Sequence, residues 1–314
     1  MTNSKTILHS VLSALLAAAM LLTVSCAPGE PGEKPDDTGD TAVESVTETD
    51  ETEAETEAAL PEAGLNPELT RDGTPKKYFT ISFDDGIMQD EKIIEIMKKY
   101  DVHCVTFFVN TGLGGLDSSE GIANYLGKPG VTHIRYTMDE LKTGIYDGYD
   151  VENHGLTHAV MAGSNPDPDT IKTEVGQNNA NIAEFMGYEP VGYAWPGGAY
   201  DETTARAIAE NSPIRFARAI DSTYSYALPE GFMHWQPTCS IIEKNMLDLA
   251  QDFVKAECTE DMLFYVWGHG YELDAYNLYN KLDLLMRIMS KADDVVLVTN
   301  AEFYQLFKDD IDLW

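Results

Sequence analysis

Two adjacent carboxylates and a pair of histidines in this sequence have the types and spacing that suit metal-assisted hydrolysis. Asp84 and Asp85 stand in Phe-Asp-Asp-Gly, directly after an apolar run that predicts a strand. Neighbouring residues on an extended chain point to opposite sides, so one carboxylate can face a metal while the other faces substrate. His154 and His158 are four residues apart, which brings both to one face if the segment winds into a helical turn. Imidazole pairs suit zinc and other late first-row divalent ions, although each motif alone also fits a plain turn or a chance pair.

Two further polar features follow predicted strands. Ala-Trp-Pro-Gly-Gly stands at 194–198, and His269 follows the apolar run that ends at 267. An imidazole with an ordinary pKa near 6.5 can donate and recover a proton around neutrality. A single histidine after a strand is also compatible with a structural role. These two features therefore indicate catalysis only in combination with the order of all the motifs along the chain.

Short β-rich runs alternate with amphipathic stretches after residue 75. The runs that predict strands are 78–83, 102–109, 150–153, 191–194, 214–219, 262–267 and 295–298. The stretches that predict helices are 91–99, 169–186, 202–210, 244–257, 276–291 and 301–307. This alternation predicts a parallel sheet and an α/β fold, a distorted or partly open (β/α) barrel of seven to eight units. The polar residues follow strand ends, where such barrels place their chemistry.

The order of these motifs resembles that of the polysaccharide deacetylases, the NodB homology domain of carbohydrate esterase family four. The resemblance covers about residues 76–307. It implies that Asp84 is the catalytic base and that Asp85, His154 and His158 bind a divalent metal. The expected ion is Zn2+, with Co2+ or Ni2+ as alternatives.

The resemblance also assigns the later motifs and shows where this chain departs from the family. The backbone N–H of Gly197 would help to hold the oxyanion, and His269 would protonate the leaving group. Ala194 stands where many members have an arginine that pairs with the catalytic aspartate, and Gly155 replaces a Ser or Thr after the first ligand histidine. Arg218, at the next strand end, is the candidate replacement for that arginine.

The activity implied is removal of acetyl groups from a polysaccharide, chiefly the N-acetyl groups of glycans that contain N-acetylglucosamine. Trp195, Trp267 and Arg218 are the residues expected on the substrate side, because rings near the site can stack on sugars. Two alternatives stay open on the same fold, an O-acetyl esterase acting on xylan and a carbohydrate-binding lipoprotein without turnover. The partner expected is therefore an acetylated polysaccharide.

The amino-terminal region indicates export. Residues 1–26 have a single Lys, an apolar stretch and small residues before Cys26, as in a lipoprotein signal whose cysteine is lipidated; plain secretion is the alternative. Residues 27–75 are an acidic, disordered linker, and 76–314 form the catalytic domain. We expect a monomer outside the cytoplasm, anchored to the membrane by lipid or secreted, at a bacterial cell surface. The net charge of −32 argues against nucleic acid as a partner.

Overall fold

The computed structural model describes Asn66 and residues 69–314. The predicted signal with Cys26, and the linker as far as residue 65, lie outside the described residues. The strands are β1 (Lys77–Asp85), β2 (Val105–Val109), β3 (Asp150–Asn153), β4 (Gly192–Ala194), β5 (Phe216–Arg218), β6 (Cys239–Ser240), β7 (Met262–His269) and β8 (Val295–Leu297). The helices are α1 (Asp90–Tyr100), α2 (Ser119–Leu126), α3 (Met138–Leu141), α4 (Pro168–Ile171), α5 (Asn178–Met186), α6 (Glu202–Asn211), α7 (Met246–Lys255), α8 (Gly270–Tyr276), α9 (Tyr279–Met289) and α10 (Asn300–Phe307). A π-helix (Lys172–Gln177) joins α4 to α5, and 3-10 turns occupy Thr111–Leu113, Pro196–Gly198 and Phe232–His234.

The strands form one parallel sheet in the order β5-β4-β3-β2-β1-β7-β6, and β8 pairs with the start of β1. The segment that leads into β6 touches both edges of this sheet. The Trp235 N–H donates to Ala217 O at 2.9 Å, and the Thr238 N–H donates to Tyr265 O at 2.8 Å. The predicted (β/α) barrel is therefore confirmed, with its edges joined only by this short, irregular strand.

The core has an outer layer and an interior. The outer layer packs the apolar faces of α1, α7 and α9 against β1, β2 and β7. The interior is closed at the amino-terminal ends of the strands by α10, whose Phe303 and Phe307 lie edge-on to Tyr78 at 5.8 and 5.1 Å between ring centroids. One end of the barrel is thus filled by side chains, which leaves the carboxyl ends of the strands as the open face.

The residues just before β1 pack on this domain. The Arg71 guanidinium pairs with Asp261 at 2.9 Å and lies 4.2 Å from the ring centroid of Phe307. The last part of the predicted linker is therefore ordered against the barrel. Among the described residues, no helix has the length and apolarity needed to cross a bilayer.

Asp90 is a buried carboxyl at the start of α1, behind the loop that follows β1. The hydroxyl of Tyr146 donates to its Oδ2 at 2.7 Å and the Ile87 N–H at 3.2 Å, while Oδ1 has no hydrogen-bond partner. Burial raises the pKa of Asp90 to about 8, because it outweighs the two hydrogen bonds that favour the charged form. The folded protein therefore carries Asp90 protonated at neutral pH.

This raised pKa makes stability fall with rising pH, because the folded state holds a proton that the unfolded chain releases above about pH 4. We expect Asp90→Asn to remove that loss, since an amide oxygen accepts the same two hydrogen bonds. Between pH 4.5 and 7 the free energy of unfolding should fall by about 3 kcal/mol less in the variant than in the wild type, measured by urea unfolding. Asp139→Asn, at an exposed carboxylate, is the control; equal pH slopes for Asp90→Asn and wild type would contradict the assignment.

Candidate active site

Asp84 and Asp85 end β1, and both carboxylates lie near the ring of His154. Asp85 has a φ of 86°, which turns its side chain back toward Asp84. His154 Nε2 lies 3.9 Å from Asp84 Oδ2 and 3.9 Å from Asp85 Oδ1. The expectation that the two carboxylates point to opposite sides is wrong, because the chain is not extended at Asp85. Gly86 follows with a φ of 65°, and a Cβ there would lie 2.7 Å from Val109 Cγ1, so only glycine fits this turn.

Asp85, His154 and His158 form the one group of metal-ligating side chains among the described residues. Their ligand atoms lie within 4.8 Å of one another. The Nδ1–H of His154 donates to the Ala194 carbonyl at 2.9 Å, so its Nε2 lone pair is aimed into the site, where this buried atom has no partner. A carboxylate and two imidazoles with an orphaned, buried ring nitrogen fit a divalent cation.

The two histidines meet through a bend rather than a helical turn. Gly155 and His158 have φ values of 76° and 57°, so the segment 154–158 does not wind into a helical turn. Side-chain hydrogen bonds hold the bend: Asn110 Nδ2 donates to the Gly155 carbonyl at 2.7 Å, and the Thr157 hydroxyl donates to Glu174 at 2.7 Å. These contacts steady a loop that lacks the family's usual Ser or Thr after the first histidine.

Burial keeps both histidines of the candidate metal site neutral. It lowers the pKa of His154, and burial together with the neighbouring His154 ring lowers the pKa of His158 to about 3. A neutral imidazole is the form that binds metal, so protons do not compete for these two ligands near neutral pH.

Arg218 lies against Asp84. Its Nη2 donates to Asp84 Oδ2, and the guanidinium is fully buried, 4.6 Å above the ring centroid of Trp267. Arg218 is the register partner of Ala194 across β4 and β5. The guanidinium therefore comes from the strand next to the one expected from the family. Since Arg218 is buried, the expectation that it touches substrate directly is wrong.

The two tryptophans differ in their surroundings. Trp195 is 1% exposed, and its Nε1 donates to Met233 O at 3.3 Å inside the layer under α6. The prediction that Trp195 stacks on sugar is therefore wrong for this structure. Trp267 is half-buried, with the Arg218 guanidinium over one face and the His269 ring at 5.5 Å. Gly197, at a φ of 64°, lies beside Val160 in the loop that follows His158.

His269 ends β7 opposite the ligand histidines, with its Nε2 3.9 Å from Asp84 Oδ2. Its Nδ1 lies 3.2 Å from Glu272 Oε2, and the Tyr271 ring stacks on it at 4.7 Å between centroids. Burial alone would lower the pKa of His269, but Glu272, and then Asp84 and Asp85, raise it to about 9. Sequence reasoning assigned Glu272 no role. The His-x-x-Glu spacing at the start of a helix, a capping-box pattern, was the signal for this contact.

His133 and Arg135 were missed by sequence reasoning and hold Asp85. His133 Nε2 lies 2.9 Å from Asp85 Oδ2, and Arg135 Nη2 donates to Oδ1 at 2.9 Å. Burial would raise the pKa of Asp85, but Arg135 and His133 outweigh it and hold that pKa well below its usual range. Two basic residues at i and i+2 in His-Ile-Arg-Tyr were the available signal, since alternate residues of an extended segment share a face.

The chain is similar to known polysaccharide deacetylases and their structural relatives. Residues 71–217, a little under half of the chain, match the family model described as polysaccharide deacetylase. Solved structures similar to this chain include a family 4 acetyl xylan esterase from Clostridium thermocellum with a cobalt ion (17% identity, 75% of this chain and 93% of that chain, TM-score 0.46). Others are a putative polysaccharide deacetylase from Mycobacterium smegmatis (14%, 80% and 96%, 0.48) and a CE4 family pseudoenzyme from Bacillus anthracis (16%, 72% and 65%, 0.42). No curated protein matches the chain.

The ion pair of Arg218 and Asp84 can be tested by transferring the arginine from position 218 to position 194. Arg218→Ala leaves a buried carboxylate without its partner, so we expect the free energy of unfolding to drop by about 3–5 kcal/mol. Ala194→Arg in the Arg218→Ala background places a guanidinium on the register-paired position and should recover part of that loss. Urea unfolding measures both.

The control is Arg206→Ala, which removes an arginine from an exposed ion pair with Glu202. We expect a change within about 0.5 kcal/mol for this exposed pair. A double variant no more stable than Arg218→Ala would contradict a pairing that depends on the guanidinium charge.

Proposed function

We propose that the chain is a metal-dependent hydrolase that removes N-acetyl groups from a polysaccharide. The observation that carries this proposal is the position of Asp84 between two kinds of histidine. Its Oδ2 lies 3.9 Å from Nε2 of the metal-site His154 and 3.9 Å from Nε2 of His269 on the opposite side. The proposed base, metal ligands and proton donor therefore lie close together, and the match of residues 71–217 to the polysaccharide deacetylase model supports the substrate class.

Each residue then has a role in hydrolysis. Asp85, His154 and His158 would hold a divalent ion, which when bound supplies Lewis acidity to the acetyl carbonyl and to water. Asp84, steadied by Arg218, takes the proton of the attacking water. The N–H of Gly197 donates to the developing oxyanion; a backbone donor needs no side chain for this role.

His269 protonates the leaving nitrogen. Glu272 on its Nδ1 side favours the protonated ring, and the pKa of about 9 keeps the proton in place at neutral pH. An amide needs this proton because an amine anion is a poor leaving group, whereas an ester releases an alkoxide with less assistance. This held proton favours the N-acetyl substrate over the O-acetyl esters that the same fold could also hydrolyse.

Acetate release tests the activity itself. We expect the purified chain to release acetate from chitooligosaccharides when Zn2+ or Co2+ is supplied, and to stop when a chelator removes the metal. His158→Ala should lower the rate by at least about 100-fold, because a ligand is lost at the metal that supplies Lewis acidity. Absence of acetate from every acetylated glycan tried, with metal shown to be bound, would overturn the proposal.

His269→Gln tests which bond is broken. The turnover of an N-acetyl substrate should fall by about 10²–10⁴-fold, whereas an acetyl ester with a good leaving group should lose far less. His103→Gln, at an exposed histidine at the opposite end of the barrel, should leave both rates unchanged. Equal losses on amide and ester would contradict the role of His269 as the acid for the leaving nitrogen.

A further inference from the structure

We propose that Arg135 is a built-in counter-ion for Asp85, which competes with the metal for that charge and makes metal binding weak and reversible. The inference rests on the function proposed above only in taking Asp85 as a metal ligand. It concerns the affinity of the site and is tested without substrate, so its failure and the failure of acetate release are separate outcomes.

Both oxygens of Asp85 already have partners. Arg135 Nη2 donates to Oδ1 at 2.9 Å, and His133 Nε2 lies 2.9 Å from Oδ2. Oδ1 is also the oxygen that faces the metal-site histidines, 3.9 Å from Nε2 of His154 and of His158. A metal held by Oδ1 would therefore share that oxygen with Arg135, because Oδ2 already has His133 as its partner.

The backbone that carries His133 and Arg135 is fixed on both sides, so neither residue can move away easily. One edge bonds to the loop after β1 and the other to the loop after β2. The bonds are Met88 N–H to Ile134 O (3.0 Å), Tyr136 N–H to Gly86 O (3.1 Å), Ser118 N–H to His133 O (2.8 Å) and Arg135 N–H to Leu116 O (3.2 Å). His133 and Arg135 are 2% and 4% exposed. The guanidinium is thus buried beside Asp85 on a segment whose backbone is hydrogen-bonded on both edges.

The charges of the site cancel before any metal enters. Arg218 pairs with Asp84 and Arg135 pairs with Asp85, so each buried carboxylate already has a cation beside it. A divalent ion then enters a buried site that offers it no net negative charge. At a separation of about 5 Å and an effective dielectric constant near 20, the repulsion from one guanidinium lowers affinity by well over 10-fold.

A competing interpretation gives Arg135 the opposite effect. If the guanidinium mainly orients Asp85, whose φ of 86° is costly for a residue other than glycine, then its removal should weaken metal binding. Charge competition predicts that removal tightens binding. The sign of the change decides between the two.

The experiment measures Zn2+ affinity by competition with a chromogenic chelator, and Co2+ affinity by its visible absorption, on the metal-free protein and its variants. We expect Arg135→Met and Arg135→Gln to lower Kd by at least about 10-fold, and Arg135→Lys, which keeps the charge, to stay near wild type. His133→Gln leaves the Arg135 guanidinium in place and should not tighten binding. Arg215→Met, at a half-buried arginine before β5, is the matched control and should leave Kd unchanged.

A measurement of stability with and without metal distinguishes a change in metal affinity from misfolding of the variants. Without metal, Arg135→Met and Arg135→Gln should be less stable than wild type, because Asp85 loses its cation; with saturating Zn2+ their melting temperatures should rise more than that of wild type. A Kd that is unchanged or higher in both neutral variants, or an absence of metal binding in wild type and variants alike, would overturn the proposal.

Discussion

Two neighbouring carboxylates are buried side by side at the end of β1, and each has its own arginine. Asp84 and Asp85 are 2% and 5% exposed, so unpaired charges there would cost several kcal/mol each. Arg218 on β5 and Arg135 before α3 supply the positive charges that pair with these carboxylates. The two arginines come from different parts of the chain. Each carboxylate meets its arginine because of three features of the fold. These are the order of the strands, the turn at Asp85 and the two loops that flank it.

The presence or absence of an arginine partner also separates the direction of the pKa shifts among the buried carboxyls. Asp90, Asp150 and Glu152 are equally buried but have no arginine, and burial raises the pKa of Asp90 to about 8, that of Asp150 to about 7 and that of Glu152 well above its ordinary value. Asp85, beside Arg135, has its pKa held low. Among these described carboxyls, the one beside an arginine keeps its negative charge most readily.

Sequence reasoning found the residues that follow well-formed strands and missed those that do not. Asp85, His154 and His269 come at the ends of apolar runs. Arg218 was found because it ends the apolar run of β5, the strand that follows the one ending at Ala194. His133 and Arg135 lie in a segment that pairs only through single bridges, so no apolar period marks it. The exposure of Trp195 was misjudged because its place at a strand end predicts only where the residue lies along the barrel axis. The direction of its side chain depends on the twist of the sheet and on the packing of α6 over it.

The two arginines differ in what they do to the site, although their pairs look alike. Arg218 touches a carboxylate whose proposed work is to accept a proton, so the pair places the base in position whether or not metal is present. Arg135 touches the carboxylate that we propose as a metal ligand, and its charge would oppose an ion bound there. Because each carboxylate has its own cation, the proposed site does not need an ion to balance its charge, and the cation beside Asp85 is expected to weaken metal binding.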